Sequence, residues 1–80
     1  MMARTKRETL EAGLRAAGAV PQVTRHTKYR AYRLPGRDGL FLVGVKAYAF
    51  RHYVSADRDW SAQGSPLEAQ LLRMGQTGGV

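Results

Sequence analysis

Two stretches of the chain place apolar residues at helical spacing, and one of them lies near each end. The first stretch begins with Thr5 and Glu8, which form a capping box, a pattern in which each side chain bonds the other residue's backbone amide. Leu10 and Leu14 then follow on one face of the same helix. This pattern predicts a helix over residues 6–17.

The second helical stretch has the clearest start signal in the sequence. Ser65 suits the N-cap, Pro66 suits the first helical position, and Glu68 completes a capping box. An apolar stripe follows, and Gly75 supplies a stop signal. We therefore predict a helix over residues 66–74.

Between these helices the pattern changes to that of β-strands. Residues 28–34 intersperse tyrosine and leucine with basic residues, and residues 40–45 form an almost unbroken apolar run. The intervening residues 35–39 read PGRDG, a turn with two glycines, so the two runs predict a hairpin. Residues 48–54 alternate again and predict a third strand. Because only residues 46–47 separate it from the second strand, one long bent strand is the alternative.

These elements predict an α+β fold with an N-terminal helix, an antiparallel β-hairpin or three-stranded sheet, and a short C-terminal helix packed on one sheet face. Residues 21–27 are expected to form a connector, and residues 55–64, which include Trp60, a polar loop. We expect a single small domain over residues 1–75 and a flexible tail over residues 76–80. The predicted core residues are Leu10, Leu14, Leu40, Leu42, Val45, Phe50, Leu67 and Leu71.

The charge of the chain indicates its class of partner. Its 80 residues include 13 Lys and Arg against 6 Asp and Glu, which gives a net charge of +7. Eight of the bases lie within residues 12–56, where Asp38 is the only acid. Such a segregated excess attracts polyanions, and nucleic acid is the first candidate. The alternative is an arginine-rich chain in which arginine serves solubility alone.

The supply of catalytic groups is small. The chain has no cysteine, which removes thiolate metal sites and cysteine nucleophiles and fits a reducing compartment such as the cytoplasm. No apolar run approaches the roughly 18 residues of a membrane span, and the first residues lack a signal-peptide core. His26 and His52 are far apart, and Ser55 and Asp57 near His52 lack a glycine-framed nucleophile turn. We therefore expect no enzyme, no metal and no cofactor.

Basic and aromatic residues interleave on the predicted strands, which suits a sheet that contacts nucleic acid. Arginine grips phosphates and base edges, whereas tyrosine adds stacking or a hydrogen bond. The same interleaving is also typical of an ordinary exposed sheet face. We expect Arg30, Arg33 and Arg51 to be the main anchors, Arg25, Lys28 and Arg37 to contact phosphates, and Tyr29 and Tyr53 to support them.

The hairpin resembles a known DNA-binding family. Residues 32–34 (YRL), a glycine turn and residues 38–43 (DGLFLV), followed by Lys46, Tyr48 and residues 50–51 (FR), are similar to the arm-type DNA-binding domain of phage-type tyrosine integrases. That resemblance implies a three-stranded antiparallel sheet with a helix, and a sheet that lies in the major groove of its DNA site.

The sequence departs from this family pattern at three places. The connection between the second and third strands is shorter, Tyr48 stands where tryptophan is usual, and Asp57 and Asp59 replace a basic stretch. Residues 43–51 (VGVKAYAFR) also look like a pattern in short uncharacterised tailed-phage proteins, which implies a mobile-element origin. The sequence therefore predicts a small basic nucleic-acid-binding module, with duplex DNA as the favoured partner. The alternative is a phage-encoded inhibitor or modulator that binds an acidic surface of a host protein.

Overall fold

The computed structural model describes residues 4–77 and confirms the α+β class. The elements in chain order are α1 (Lys6–Ala16), β1 (Val20–Gln22), β2 (Tyr29–Arg33), β3 (Leu40–Gly44), β4 (Phe50–Ser55), β5 (Arg58–Ser61) and α2 (Pro66–Thr77). The five strands form one antiparallel sheet in the order β1-β2-β3-β4-β5. The prediction of a hairpin or three strands is therefore wrong in number, because two further strands extend the sheet.

The two additional strands are the edges of the sheet, and both lack a strong strand pattern. β1 lies in the predicted connector and contains Pro21, which an edge strand tolerates although proline has no amide hydrogen for the ladder. β5 lies in the predicted polar loop, reads RDWS and is exposed along its whole length. Their pairing with β2 and β4, rather than apolar alternation, makes them strands.

Helix α1 starts where the capping box predicts. Thr5 Oγ1 accepts a hydrogen bond from Glu8 N (3.1 Å), and Glu8 Oε1 accepts one from Thr5 N (2.9 Å). The hydrogen bond from the Thr5 backbone is the main reason that the pKa of Glu8 lies below its ordinary value. The helix ends at Ala16, one residue earlier than predicted, and Gly18 follows with φ +87°.

The core lies between the two helices and one face of the sheet. Its largest fully buried side chains are Phe41, Phe50, Leu10, Leu14, Leu71 and Val43. The structure confirms four of the predicted core residues, Leu10, Leu14, Phe50 and Leu71, and packs the partly buried Leu67 against them. One hydrophobic cluster thus joins both helices to the sheet.

Strand β3 presents a different set of side chains to the core than the sequence predicts. Phe41 and Val43 are buried, whereas Leu40 and Leu42 are only partly buried on the opposite face. Successive side chains of a strand alternate between faces, so an unbroken apolar run does not reveal which set is buried. Val45, also predicted as core, lies beyond the strand and is partly buried.

The connection between β3 and β4 is a five-residue loop, residues 45–49, which is longer than the two-residue turn expected. Gly44 N donates a hydrogen bond to Ala49 O (2.9 Å) across the base of this loop. Val45 N donates to Lys28 O (2.9 Å), which ties the loop to the start of β2. The alternative of one long bent strand is therefore wrong.

Helix α2 begins at the predicted cap. Ser65 Oγ accepts a hydrogen bond from Glu68 N (3.2 Å) and donates one to Ala62 O (2.6 Å). The Glu68 carboxylate reaches back, as a capping box requires, although it accepts its hydrogen bond from Gly64 N (2.9 Å) instead of the Ser65 amide.

The predicted end of this helix is wrong. Gly75, expected as a stop signal, lies inside α2 and is buried against the backbone of Thr9 in α1. The helix continues to Thr77, so the predicted tail begins within it. Residues 78–80 of that tail lie outside the described residues.

Candidate nucleic-acid interface

Both helices pack on one face of the sheet, which leaves the other face without a helix over it. The core residues of β3 and β4 mark the helix side, and strand alternation assigns the remaining side chains. The open face consists of Tyr29, Ala31 and Arg33 from β2, Leu40 and Leu42 from β3, Arg51 and Tyr53 from β4, Asp59 and Ser61 from β5, and Val20 and Gln22 from β1. Its centre is apolar and its margins carry the arginines and tyrosines.

Of the three predicted main anchors, Arg33 and Arg51 lie on the open face. Arg33 is exposed and makes no ion pair within residues 4–77. Arg51 Nη2 lies 3.1 Å from Asp59 Oδ1, and Arg51 Nε donates to the same oxygen (3.2 Å). A partly exposed pair of this kind contributes only about 0–1 kcal/mol, so it restrains Arg51 weakly.

The third predicted anchor, Arg30, points to the helix side. Arg30 Nη1 lies 3.3 Å from both carboxylate oxygens of Glu11, and Tyr32 OH donates to Glu11 Oε1 (2.8 Å). Arg7 Nε lies 3.7 Å from Glu11 Oε2. Because Glu11 is only 3% exposed, these partners compensate a buried charge. Arg30 therefore ties β2 to α1 and does not share a surface with Arg33.

The antiparallel order divides the loops between two ends of the sheet. One end, which we call the basic end, holds residues 23–28, 45–49 and 62–65 and the starts of α1 and α2. The other end, which we call the turn end, holds residues 17–19, 34–39 and 56–57. Each strand reverses direction, so alternate connections meet at the same end.

The two ends differ in charge. At the turn end, counting the strand residues that border its loops, Arg33, Arg37 and Arg58 lie near Asp38 and Asp57, so cations exceed acids by one. The basic end has two acids: Glu8, whose carboxylate caps α1, and Glu68 at the start of α2, which is buried and accepts a hydrogen bond from Tyr48 OH. Its cations are Lys6, Arg7, Arg25, Lys28 and Lys46. The positive field is therefore strongest at the basic end.

The predicted phosphate contacts and aromatic residues are distributed over both ends. Arg25 and Lys28 are exposed at the basic end, whereas Arg37 is exposed at the turn end. Tyr29 lies opposite Gly44 at the basic end, and Tyr53, which is 37% exposed, lies opposite Asp59 towards the turn end.

Sequence reasoning did not select Lys6 or Lys46 as site residues. They lie far apart in the chain, and only the docking of α1 beside the β3–β4 loop brings them to one end of the molecule. Lys6 Nζ lies 4.6 Å from the centroid of the Tyr48 ring, a cation–π arrangement. The predicted hairpin already brings the start of β2 and the end of β3 together, so the sequence contained the signal that places Lys46 beside Lys28, whereas the position of Lys6 depends on how α1 docks.

Two of the acids serve the helix side instead of the open face. Glu11 binds Arg30 and Tyr32, as described above. Glu68 is 5% exposed and accepts a hydrogen bond from Tyr48 OH (2.6 Å). Burial is the main reason that the pKa of Tyr48 lies well above its ordinary value, and the hydrogen bond to Glu68 raises it further. Burial likewise raises the pKa of Tyr32.

The two histidines lie apart in the fold. His52 stacks on Phe41 with ring centroids 4.2 Å apart, packs against Trp60, and pairs through Nε2 with Asp38 O (2.7 Å). His26 is exposed in the β1–β2 loop. Within residues 4–77 no three histidine, aspartate or glutamate side chains are grouped so that they could hold a metal ion.

No protein-family model matches this chain, and comparisons with curated proteins and with solved structures found no match. Among the helices within residues 4–77, none combines the length and apolar character that crossing a membrane requires. The functional assignment accordingly rests on the geometry and charge of the open face and the basic end.

Proposed function

We propose that this protein binds nucleic acid on the open face of its sheet, with the basic end as the main contact to phosphates. The observation that carries the proposal is the segregation of charge. Exposed cations border the open face, whereas Glu11 and Glu68 are buried on the helix side. Among the strand residues of this face within residues 4–77 the acid is Asp59, which pairs with Arg51, so a polyanion meets little unpaired opposing charge.

The proposed contacts differ from those expected from the sequence. Arg33 and Arg51 supply the anchors on the face itself, and Arg51 exchanges its weak pair with Asp59 for a phosphate. Arg25, Lys28 and Lys46 supply the charge of the basic end. Arg30 is left out, because its guanidinium is committed to the buried Glu11.

The width of the sheet helps to decide whether the ligand is single-stranded or duplex nucleic acid. Five strands span four inter-strand spacings of about 4.8 Å, so the edge strands are about 19 Å apart. The major groove of B-DNA is about 12 Å wide and admits a helix or a two-stranded ribbon. We therefore propose a single strand on the open face as the favoured ligand, and keep duplex DNA, as the integrase resemblance implies, as the second.

A cytoplasmic location belongs to the same proposal, because the chain contains no cysteine.

Fluorescence anisotropy with labelled single-stranded and duplex oligonucleotides at about 50 mM salt tests this proposal. Arg33→Ala should weaken binding to a single strand and reduce the slope of log K against log salt by about 0.7, the value for one phosphate contact. Arg30→Ala is the matched control, since it removes the same charge from the same strand on the opposite face. Arg30→Ala should lower the stability of the fold, because the buried Glu11 loses a partner, but it should leave the affinity and the salt slope unchanged at a temperature at which circular dichroism shows the variant folded.

Two outcomes would contradict the proposal. One is loss of binding in Arg30→Ala with full binding in Arg33→Ala, since the open face would then be only a scaffold. The other is the absence of binding to any nucleic acid at low salt. A pull-down from host lysate that recovers one acidic protein would then support the alternative, a basic inhibitor or modulator of a host protein.

A further inference from the structure

All three lysines of this arginine-rich chain converge at the basic end. The chain contains ten arginines, which are spread over both ends and both faces, and only three lysines. Lys28 and Lys46 line one cleft, and Lys6 and Lys46 line a second. Lysine is a compact, rotatable point charge, suited to phosphate groups that approach from different directions.

The two clefts lie on either side of the β3–β4 loop and share Gly44 and Lys46. The outer cleft, which we call the lysine cleft, has a volume of about 230 Å³ and is lined by Lys28, Tyr29, Gly44, Lys46, Ala47 and Ala49. The second cleft, of about 190 Å³, reaches the start of α1. Tyr29 belongs to the open face, so the lysine cleft adjoins the proposed nucleic-acid surface.

The backbone holds the lysine cleft in shape. Lys28 O accepts a hydrogen bond from Val45 N (2.9 Å), so the two lysines project from neighbouring pieces of backbone. Gly44 N donates to Ala49 O (2.9 Å), and a side chain at Gly44 would overlap the carbonyl oxygen of Ala47. A cleft formed by paired backbone requires little reordering when a ligand enters.

The lining of the lysine cleft combines small apolar residues with cationic rims. Gly44, Ala47 and Ala49 are the small residues of the lining, and Tyr29 is its aromatic residue. Lys28 and Lys46 are exposed at the edges. A flat, weakly polar group attached to an anion fits this arrangement, which is the chemistry of a nucleobase joined to phosphate. The volume lies below the roughly 300–1,000 Å³ of sites for drug-sized ligands, so it limits the occupant to one base.

We propose that the lysine cleft receives one unstacked nucleobase of a single-stranded nucleic acid, stacked on Tyr29, with the flanking phosphates on Lys28 and Lys46. This inference rests on the proposed function and specifies how the strand leaves the open face at the basic end. It excludes paired bases from this position, because a base within a duplex cannot enter a cleft without leaving its stack.

The first test uses adenosine monophosphate and ribose 5-phosphate as probes, followed by amide chemical shifts of the full chain. Adenosine monophosphate should shift the amides of Gly44, Ala47 and Ala49, and ribose 5-phosphate should shift them much less. Equal shifts with both probes would overturn the proposal, because the site would then recognise phosphate alone. Shifts confined to other amides would also overturn it.

The second test compares two double variants of equal charge in binding to a single-stranded oligonucleotide. Lys28→Ala with Lys46→Ala should lower the salt slope by about 1.4, which is about 0.7 for each phosphate of a single strand. The control, Arg15→Ala with Arg73→Ala, removes two exposed cations from the helices and should leave the slope unchanged. Tyr29→Leu should weaken binding by about 5- to 100-fold, the range for loss of one stacked base.

These measurements separate the failure of the two proposals. Suppose that the wild type binds the oligonucleotide and that both double variants bind it with the same salt slope. The proposed role of the lysine cleft is then overturned, and the open face remains the binding surface. If the protein binds no oligonucleotide, the proposed function is overturned. The placement of a strand in the cleft then fails too, even if the free nucleotide binds. Ala47→Leu keeps every charge and fills the cleft, so it should lower oligonucleotide affinity; full affinity in this variant would also overturn the cleft.

Discussion

Replacing Gly75 with alanine tests the contact between the two helices, on which the helix side of the molecule depends. Gly75 is buried in α2, and a side chain there would overlap Thr9 O in α1. Gly13 in α1 has the reciprocal arrangement, because its side chain would overlap Leu71 O in α2. The two glycines thus allow the helix backbones to approach closely, so that Leu10, Leu14 and Leu71 can share one core.

Two opposing effects set the size of the change. In an exposed helix, glycine to alanine stabilises by about 0.8–1.0 kcal/mol, because alanine loses less backbone entropy. At Gly75 the new methyl group meets a backbone carbonyl that no side-chain rotation can move away. The helices must therefore separate, and overpacking of this kind costs about 1–3 kcal/mol, occasionally more. The difference of these ranges is about 0–2 kcal/mol, and because the overlap is with backbone we expect a net destabilisation of about 2 kcal/mol for Gly75→Ala.

Urea denaturation followed by circular dichroism measures this change. Gln76→Ala is the control, since Gln76 is the next residue, exposed in the same helix, and its replacement should stay within about 0.5 kcal/mol. The sign of the change in denaturation midpoint shows whether Gly75 lies against α1 or in an exposed part of the helix. If Gly75→Ala raises the denaturation midpoint, as it would in an exposed helix, the close approach of α1 and α2 at this point is refuted.

Two further predictions concern the start of α2 and its contact with the β3–β4 loop. Ser65→Ala should destabilise the fold by about 1 kcal/mol in urea denaturation, because it removes the acceptor for Glu68 N, and an unchanged midpoint would exclude this cap from the cooperative unit. Tyr48 keeps its proton in the fold above its ordinary pKa of 10.0, so its contribution to stability is complete below that pH and is lost as pH rises further. Thermal denaturation between about pH 9 and about pH 11 should therefore show a smaller loss of stability in Tyr48→Phe than in the wild type, and equal losses would contradict the burial of the Tyr48 hydroxyl against Glu68 that raises its pKa.

The sequence by itself determined the elements whose stabilising groups lie within a few residues of one another. The Thr5 and Ser65 caps, the glycine turn at residues 35–39 and the two strands of the hairpin all appear within one or two residues of their predicted positions. Their hydrogen bonds and turn conformations are local, so the chain pattern contains the information needed to find them.

The tertiary structure decided everything that depends on a distant partner. β1 and β5 are strands because β2 and β4 offer hydrogen bonds to them, and Gly75 continues a helix because the backbone of α1 lies against it. For the same reason the sequence could not show that the two arginines of β2 lie on opposite faces of the sheet. Glu11 holds Arg30 on the helix side, while Arg33 lies on the open face. The predicted hairpin brings Lys28 and Lys46 together, but Lys6 joins them only through the docking of α1, because charge patterns along a chain do not record which sheet end a helix packs against.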